Sequence, residues 1–236
     1  MSRSTATTAF WRGARDALPF LLVVGPFALL FGVVATEAGF AVLEALAFSV
    51  LVIAGAAQFA ALQQMSENAP TLIVILTALA VNLRMAMYSA ALLPWLGAAP
   101  LWQRAVIAYL NTDQTYAMSI AEYERGRCTT LSERVAYFIG LAAPVAPTWY
   151  GMTVVGALLG RQIPPAFALD FALPLTFIAI LAPMLRTLAH VVAALTSVVA
   201  ALALAPLPYN TGLLVAAALA MAAGARTELW LEARRA

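Results

Sequence analysis

Apolar stretches of about twenty residues, the length that crosses a bilayer, follow one another along almost the whole chain. Eight can be marked, at roughly 17–36, 43–65, 71–93, 101–121, 135–158, 166–185, 188–206 and 210–228. Only short links separate them. The longest charged link, EYERGRCTTLSER at 122–134, leaves no room for a water-soluble domain. A soluble domain carries about 25% charged residues, whereas this chain has 10%, with 64% hydrophobic residues. The expected fold is therefore an all-α polytopic membrane protein, a single transmembrane domain over 1–236 with two candidate halves at 17–121 and 135–228. Seven crossings result if the polar fourth stretch or the short, Ala-rich eighth is not a span.

The charges supply an independent test of that count. All thirteen basic residues are Arg. With the N-terminus in the cytoplasm and eight alternating spans, Arg3, Arg12, Arg15, Arg125, Arg127, Arg134, Arg186, Arg226, Arg234 and Arg235 fall on the cytoplasmic side. Arg104 and Arg161 fall outside and Arg84 within the membrane, the asymmetry the positive-inside rule requires. Both termini are thus expected in the cytoplasm. The start, MSRSTATTAFWRGARDALPFLLVV, places basic residues before an apolar run as a signal peptide does. The run's length and the spans behind it favour an uncleaved first span.

Several spans carry polar residues at mid-depth. An Arg at a helix centre costs about 2.5–3.5 kcal/mol on insertion scales, so such residues face a bundle interior or a wet cavity. Arg84 lies near the middle of the third span, Gln58 two-thirds through the second, and Asn111, Asp113 and Gln114 near the centre of the fourth. On an ideal helix Tyr88 shares a face with Arg84, and Asn82 points away. For Asn82 to line the same cavity, the helix must distort near Leu83. Pro26, Pro94, Pro144, Pro147, Pro174 and Pro183 interrupt spans, so helices broken by Pro or Gly near the midplane are expected. Broken helices are how many secondary transporters hold a small solute. The competing reading is that Arg84 and Asp113 form a neutral pair that only fixes packing, and that Gln58 and Asn82 are interhelical hydrogen-bonding groups.

Other features point to little chemistry. The only histidine, His190, and the only cysteine, Cys128, lie outside the polar layer, which leaves no metal-ligand cluster and no internal disulfide. There is no nucleophile–base arrangement and no phosphate-binding loop. An enzyme, a resident cofactor and a metal are therefore not expected. The net charge of +2 is too small to argue for nucleic acid, and none is expected as a partner. Asp170 opens the sixth span near the outer face as a helix N-terminal carboxylate and is a second candidate, with Asp113, for proton coupling. Pro26 and Gly39 are spaced like Pro147 and Gly160, with Val33-Val34 and Val154-Val155 in step. Duplication is one reading of this, and the ordinary frequency of Gly and Pro in membrane helices the other.

The segments GPFALLFG (Gly25–Gly32), AGAAQF (Ala54–Phe59), NLRMAMYSAALLPWL (Asn82–Leu96), NTDQTYAM (Asn111–Met118), LDFALPLTFIAILAPML (Leu169–Leu185) and LPYNTGLLVAAALAMAAGA (Leu207–Ala225) resemble, in order, the AzlC-type azaleucine-resistance family. That family comprises the large subunits of bacterial branched-chain amino acid exporters. The resemblance implies a multi-pass protein of the bacterial cytoplasmic membrane that exports leucine, isoleucine, valine and related zwitterions by secondary transport. It also implies a small, separately encoded membrane subunit of the AzlD type. Where the family often reads threonine-aspartate-glutamate, this chain has Gln114, one carboxylate fewer for proton coupling. In this picture Arg84 takes the substrate carboxylate and Asp113 faces the ammonium or carries a proton. Gln58, Asn82, Tyr88 and Asn111 complete the polar site, and Met85, Met87, Tyr88 and Phe59 form the apolar wall. A passive channel for small polar solutes and a non-transporting scaffold subunit are the alternatives, and a homo-oligomer is compatible with each.

Overall fold

The computed structural model describes residues 2–160, 185, 187–207 and 211–234. Almost all of the sixth expected span, with Asp170, Pro174 and Pro183, lies outside the described residues, as do Arg161 and Arg186. The described residues are helical and contain no strand. In chain order the helices are α1 (Ser2–Ala17), joined by a 3-10 turn (Leu18–Phe20) to α2 (Leu21–Glu37), then α3 (Val42–Leu51), α4 (Gly55–Ser66), α5 (Thr71–Leu96), α6 (Leu101–Tyr109), α7 (Asp113–Glu124), α8 (Leu131–Gly160), α9 (Leu188–Ala203) and α10 (Thr211–Ala233). Four helical stretches among the described residues are long and apolar enough to cross a membrane: Thr5–Glu37, Thr71–Leu96, Leu131–Gly160 and Thr211–Ala233.

The expected second and fourth spans each arrive in two pieces. The breaks fall at 52–54 and 110–112, not at the prolines that the sequence marked. Pro26 lies inside α2, Pro94 inside α5, and Pro144 and Pro147 inside α8, and each helix runs on past them. A proline removes one backbone donor, and a bilayer tolerates that where neighbouring protein re-satisfies the freed carbonyl. The actual breaks have local causes. Thr112 is extended (φ −127°, ψ 169°) and caps α7: its backbone N–H donates to Thr115 Oγ1 at 2.8 Å, and the Thr115 N–H donates back to Thr112 Oγ1 at 3.4 Å. This reciprocal cap satisfies donors that a new helix start leaves open. At the other break Val52 leaves the helix (φ −129°, ψ 87°). α4 then starts on Gly55, where a Cβ would lie 2.7 Å from Trp149 Cη2 and press on the Phe27 ring.

Two compact units result, one of Met1–Ala60 with Val81–Ile163 and one of Ala61–Ala80 with Pro164–Ala236. In the first, α8 packs along both α1 and α2. Glycines let the backbones touch: a Cβ on Gly13 would strike Tyr137 O, one on Gly140 Phe10 O, one on Gly32 Thr153 O, and one on Gly156 Leu29 O. Residue numbers rise together on the two sides, so α8 runs parallel to the α1–α2 rod. Around this seam Phe31, Phe59, Tyr137, Phe138 and Leu141 are buried, and Phe27 and Phe31 meet Phe59 edge-on at 5.0 and 5.5 Å. In the second unit α9 and α10 pack as a hairpin, with Gly224 against Ala193 and Gly212 against Leu204.

Because no shift of a flexible side chain can make room beside a backbone carbonyl, Gly156→Leu is expected to destabilise the first unit by more than about 3 kcal/mol, at the severe end for single substitutions. Thermal melting of the detergent-purified variant against wild type checks this, with the exposed Gly151→Leu as the tolerated control, since a Cβ there meets nothing within 4 Å.

Candidate functional site

The polar residues of α5 and α7 meet at the second break. Arg84 Nη1 lies 3.1 Å from Asp113 Oδ2, and the Tyr88 hydroxyl donates to Asp113 Oδ1 at 2.9 Å. Helical spacing does the positioning, since Arg84 and Tyr88 stand one turn apart on α5. Asp113 is the first residue of α7, where the positive end of the helix dipole favours a carboxylate. Tyr88 stacks on Tyr116 with ring centroids 4.2 Å apart and planes 8° from parallel. The Tyr116 ring, about one turn along α7 from Asp113, is thus a further element of the site. Asn111, buried in the break itself, donates from Nδ2 to Ser89 Oγ at 3.4 Å, while its Oδ1 has no partner among the described residues.

The exposure of the ion pair decides what it can do. The side chains of Arg84 and Asp113 are 33% and 44% exposed, so the pair is not sealed in the protein core. A fully buried pair costs 3–5 kcal/mol to break from one side; a half-exposed one is held by far less. The pair can therefore exchange its mutual contact for a ligand that presents both charges.

Not every expected site residue joins it. Gln58 is fully buried in another network around the first break: its Nε2 donates to Ser49 Oγ at 3.1 Å, and Ser49 and Thr153 share a hydrogen bond at 3.0 Å. Thr153 in turn donates to Trp149 O at 2.9 Å. Among the described residues Asn82 makes no hydrogen bond to the Arg84 cluster, and its Oδ1 has no partner. Helix α5 runs unbroken past Leu83, so the distortion that would have turned Asn82 towards Arg84 does not occur. Of the apolar wall, Phe59 is buried in the aromatic cluster, Met85 is half-buried and Met87 is 70% exposed, and Tyr88 hydrogen-bonds to the charged pair. The two breaks are nevertheless tied together. Tyr109, the last residue of α6, donates its hydroxyl to Val50 O at 2.6 Å, and that hydroxyl lies 2.7 Å from the Tyr150 hydroxyl on α8.

A second charged cluster escaped sequence reasoning. Glu122 is buried beside Arg12, whose Nε lies 2.9 Å from Glu122 Oε1, and beside Arg127. Arg12 also donates to Cys128 Sγ at 3.2 Å and lies 5.6 Å from the Tyr137 ring centre. The Tyr137 hydroxyl donates to Asp16 Oδ2 at 2.9 Å. Burial pushes the Cys128 thiol up, opposed by the Arg12 guanidinium. The signal lay in the charged link, whose first residue is Glu122. Its role is to clamp α1 to the α7–α8 connection.

The chain matches the family model described as "AzlC protein" over residues 19–163. It is 30% identical over 186 residues to "Inner membrane protein YgaZ" of Escherichia coli K12, an alignment that covers 74% of this chain and 73% of that protein. It is also 30% identical over 224 residues to an "Uncharacterized membrane protein" of Archaeoglobus fulgidus, covering 93% of this chain and 95% of the relative. No solved structure matches the chain.

Removing Glu122 leaves two guanidiniums without their shared partner. Glu122→Ala is expected to cost about 1–3 kcal/mol, the loss of hydrogen bonds to a buried charged group, because the two guanidiniums left behind are partly exposed. It should also expose Cys128: maleimide labelling of the folded protein at neutral pH, slow in wild type because the thiol is buried and protonated, becomes rapid in the variant.

Proposed function

Because this chain belongs to the AzlC protein family, we propose that it is a secondary transporter that exports branched-chain amino acids across the cytoplasmic membrane, as the large subunit of a two-component system with a small AzlD-type membrane protein. The observation that carries this reading is the half-exposed Arg84–Asp113 pair at the start of α7. A zwitterion presents a carboxylate and an ammonium on one carbon. Arg84, with its planar fork of donors, takes the carboxylate, and Asp113 takes the ammonium. Without solute the two neutralise each other. Entry of the solute replaces one ion pair by two, so neither protein charge is stranded in the membrane at any stage.

The Tyr88–Tyr116 stack provides a flat apolar surface beside the charges for the aliphatic side chain, and the Tyr88 hydroxyl keeps Asp113 oriented. Asp113 is also the candidate for proton coupling, since Gln114 supplies no second carboxylate.

In the topology that accompanies this reading, the chain crosses eight times with both ends in the cytoplasm. The parallel course of α8 beside α1–α2 supports it. Two parallel spans require an odd number of crossings between them. Three lie between residues 37 and 131 if α3–α4 and α6–α7 each cross once as a broken span.

In cells stripped of their own exporters and loaded with leucine from a dipeptide, efflux is expected only with both subunits. Arg84→Ala should lower it about tenfold or more, the loss of a charged hydrogen bond to the substrate carboxylate, with normal membrane insertion. Arg84→Lys, which keeps the charge but not the fork, should fall between them. Equal efflux in Arg84→Ala sinks the assignment. Collapse of the proton gradient should abolish accumulation against a leucine gradient, whereas a passive channel accumulates none at any time.

A further inference from the structure

A cavity of about 320 Å³ lies beside the α5–α6 hairpin, lined by Ser89, Leu92, Leu93 and Leu96 of α5 and by Arg104 and Ile107 of α6, among others. It is a groove open on one side. Leu92, Leu96 and Ile107 form a buried apolar floor, while Ser89, Leu93 and Arg104 are exposed. Its two polar residues lie at opposite ends of the lining. Arg104 lies one turn into α6, close to the hairpin connection, and its guanidinium has no hydrogen bond or ion pair among the described residues. Ser89 lies two turns up α5 from Gly97, roughly 12 Å deeper by helical rise. Ser89 is also the residue to which Asn111 donates, so the deep end of the cavity adjoins the break where Asp113 begins α7. Asn111 Oδ1, buried and without a partner among the described residues, lies just beyond.

We propose that this cavity is a second station for the transported amino acid, on the far side of the Arg84–Asp113 site, in which Arg104 receives the carboxylate and the leucine-lined wall receives a branched aliphatic side chain. The proposal rests on the exporter reading given above and deepens it. Three observations favour a small zwitterion as occupant. The exposed guanidinium, with no ion pair among the described residues, leaves its positive charge free to take an anion. The walls formed by Leu92, Leu96 and Ile107 accept a compact aliphatic group. The deep end presents a hydroxyl next to an unpartnered amide oxygen, which suits a polar head moving between stations and gives nothing to the end of a lipid acyl chain. In the eight-span topology the hairpin between α5 and α6 faces the outside, so the station is the last on the way out and the first met by an external amino acid. Aliphatic selectivity then resides in this cavity, and the Arg84–Asp113 site reads the two charges common to every amino acid.

The test is exchange of preloaded labelled leucine for external unlabelled amino acids in cells that express both subunits. A hydrogen bond to a charged group is worth enough that its loss changes affinity about tenfold. Arg104→Gln is therefore expected to raise the external leucine concentration for half-maximal exchange about tenfold, and Arg104→Lys to restore most of it. Ala90→Trp, which fills the cavity from α5, is expected to impair exchange driven by leucine far more than exchange driven by alanine, a preference that a misfolded variant cannot show. Wild-type half-saturation in Arg104→Gln, or equal impairment of leucine and alanine exchange in Ala90→Trp, overturns the station while wild-type exchange leaves the exporter reading standing. Loss of maximal rate and thermal stability in Arg104→Gln with unchanged half-saturation identifies a bound lipid instead and also overturns it. Absence of any amino acid exchange in wild type removes the exporter reading and the station with it.

Discussion

The seam along which α8 meets α1 and α2 backbone to backbone sets the position of everything else in the first unit. In hydrocarbon there is little hydrophobic drive between helices, so association depends on close packing, and small residues at the contact permit it. Gly13, Gly32, Gly140 and Gly156 each bring a carbonyl of the opposite helix to where a Cβ would stand. The close approach holds α8 so that Trp149 and Thr153 project towards the first break. It also holds α1 so that Arg12 reaches Glu122. A shift of α8 by the thickness of a methyl group would disturb both.

Each break must then find partners for its backbone, because lipid offers none. The two solutions differ. At 110–112 a threonine pair caps the new helix, and the exposed start of α7 carries Asp113 into contact with Arg84 and Tyr88. At 52–54 the polar groups turn inward to Ser49, Gln58 and Thr153, all fully buried. The Tyr109–Val50 hydrogen bond fastens one break to the other. One leaves its charged pair half-exposed and the other is a packed joint.

This difference separates what was legible in the sequence from what was not. Arg84, Tyr88 and Asp113 were recognisable because charge at mid-span is expensive and a one-turn spacing puts Tyr88 beside Arg84. Gln58 had the same depth and a comparable polarity, yet its role depends on Ser49 and Thr153, which lie 9 and 95 residues away in the chain and look unremarkable in isolation. The prolines misdirected the search for breaks, because a helix supported on its flanks can continue through proline, while a threonine cap or a glycine wedged between rings ends one without any strong sequence signal. Glu122 was hidden for a related reason: a charged link reads as solvated until its partners are known to close over it.

The sequence by itself determined that the chain is a helical membrane protein, since ten per cent charge cannot cover a soluble surface and lipid leaves helices as the form for apolar segments of this length. It also determined where charge is retained against the cost of burial. Tertiary structure alone decided which of those polar residues share a space, which are packing joints, and where the long helices divide. Those outcomes depend on side chains meeting across distant parts of the chain at separations of a few ångströms, and hydropathy and periodicity carry no information about such meetings.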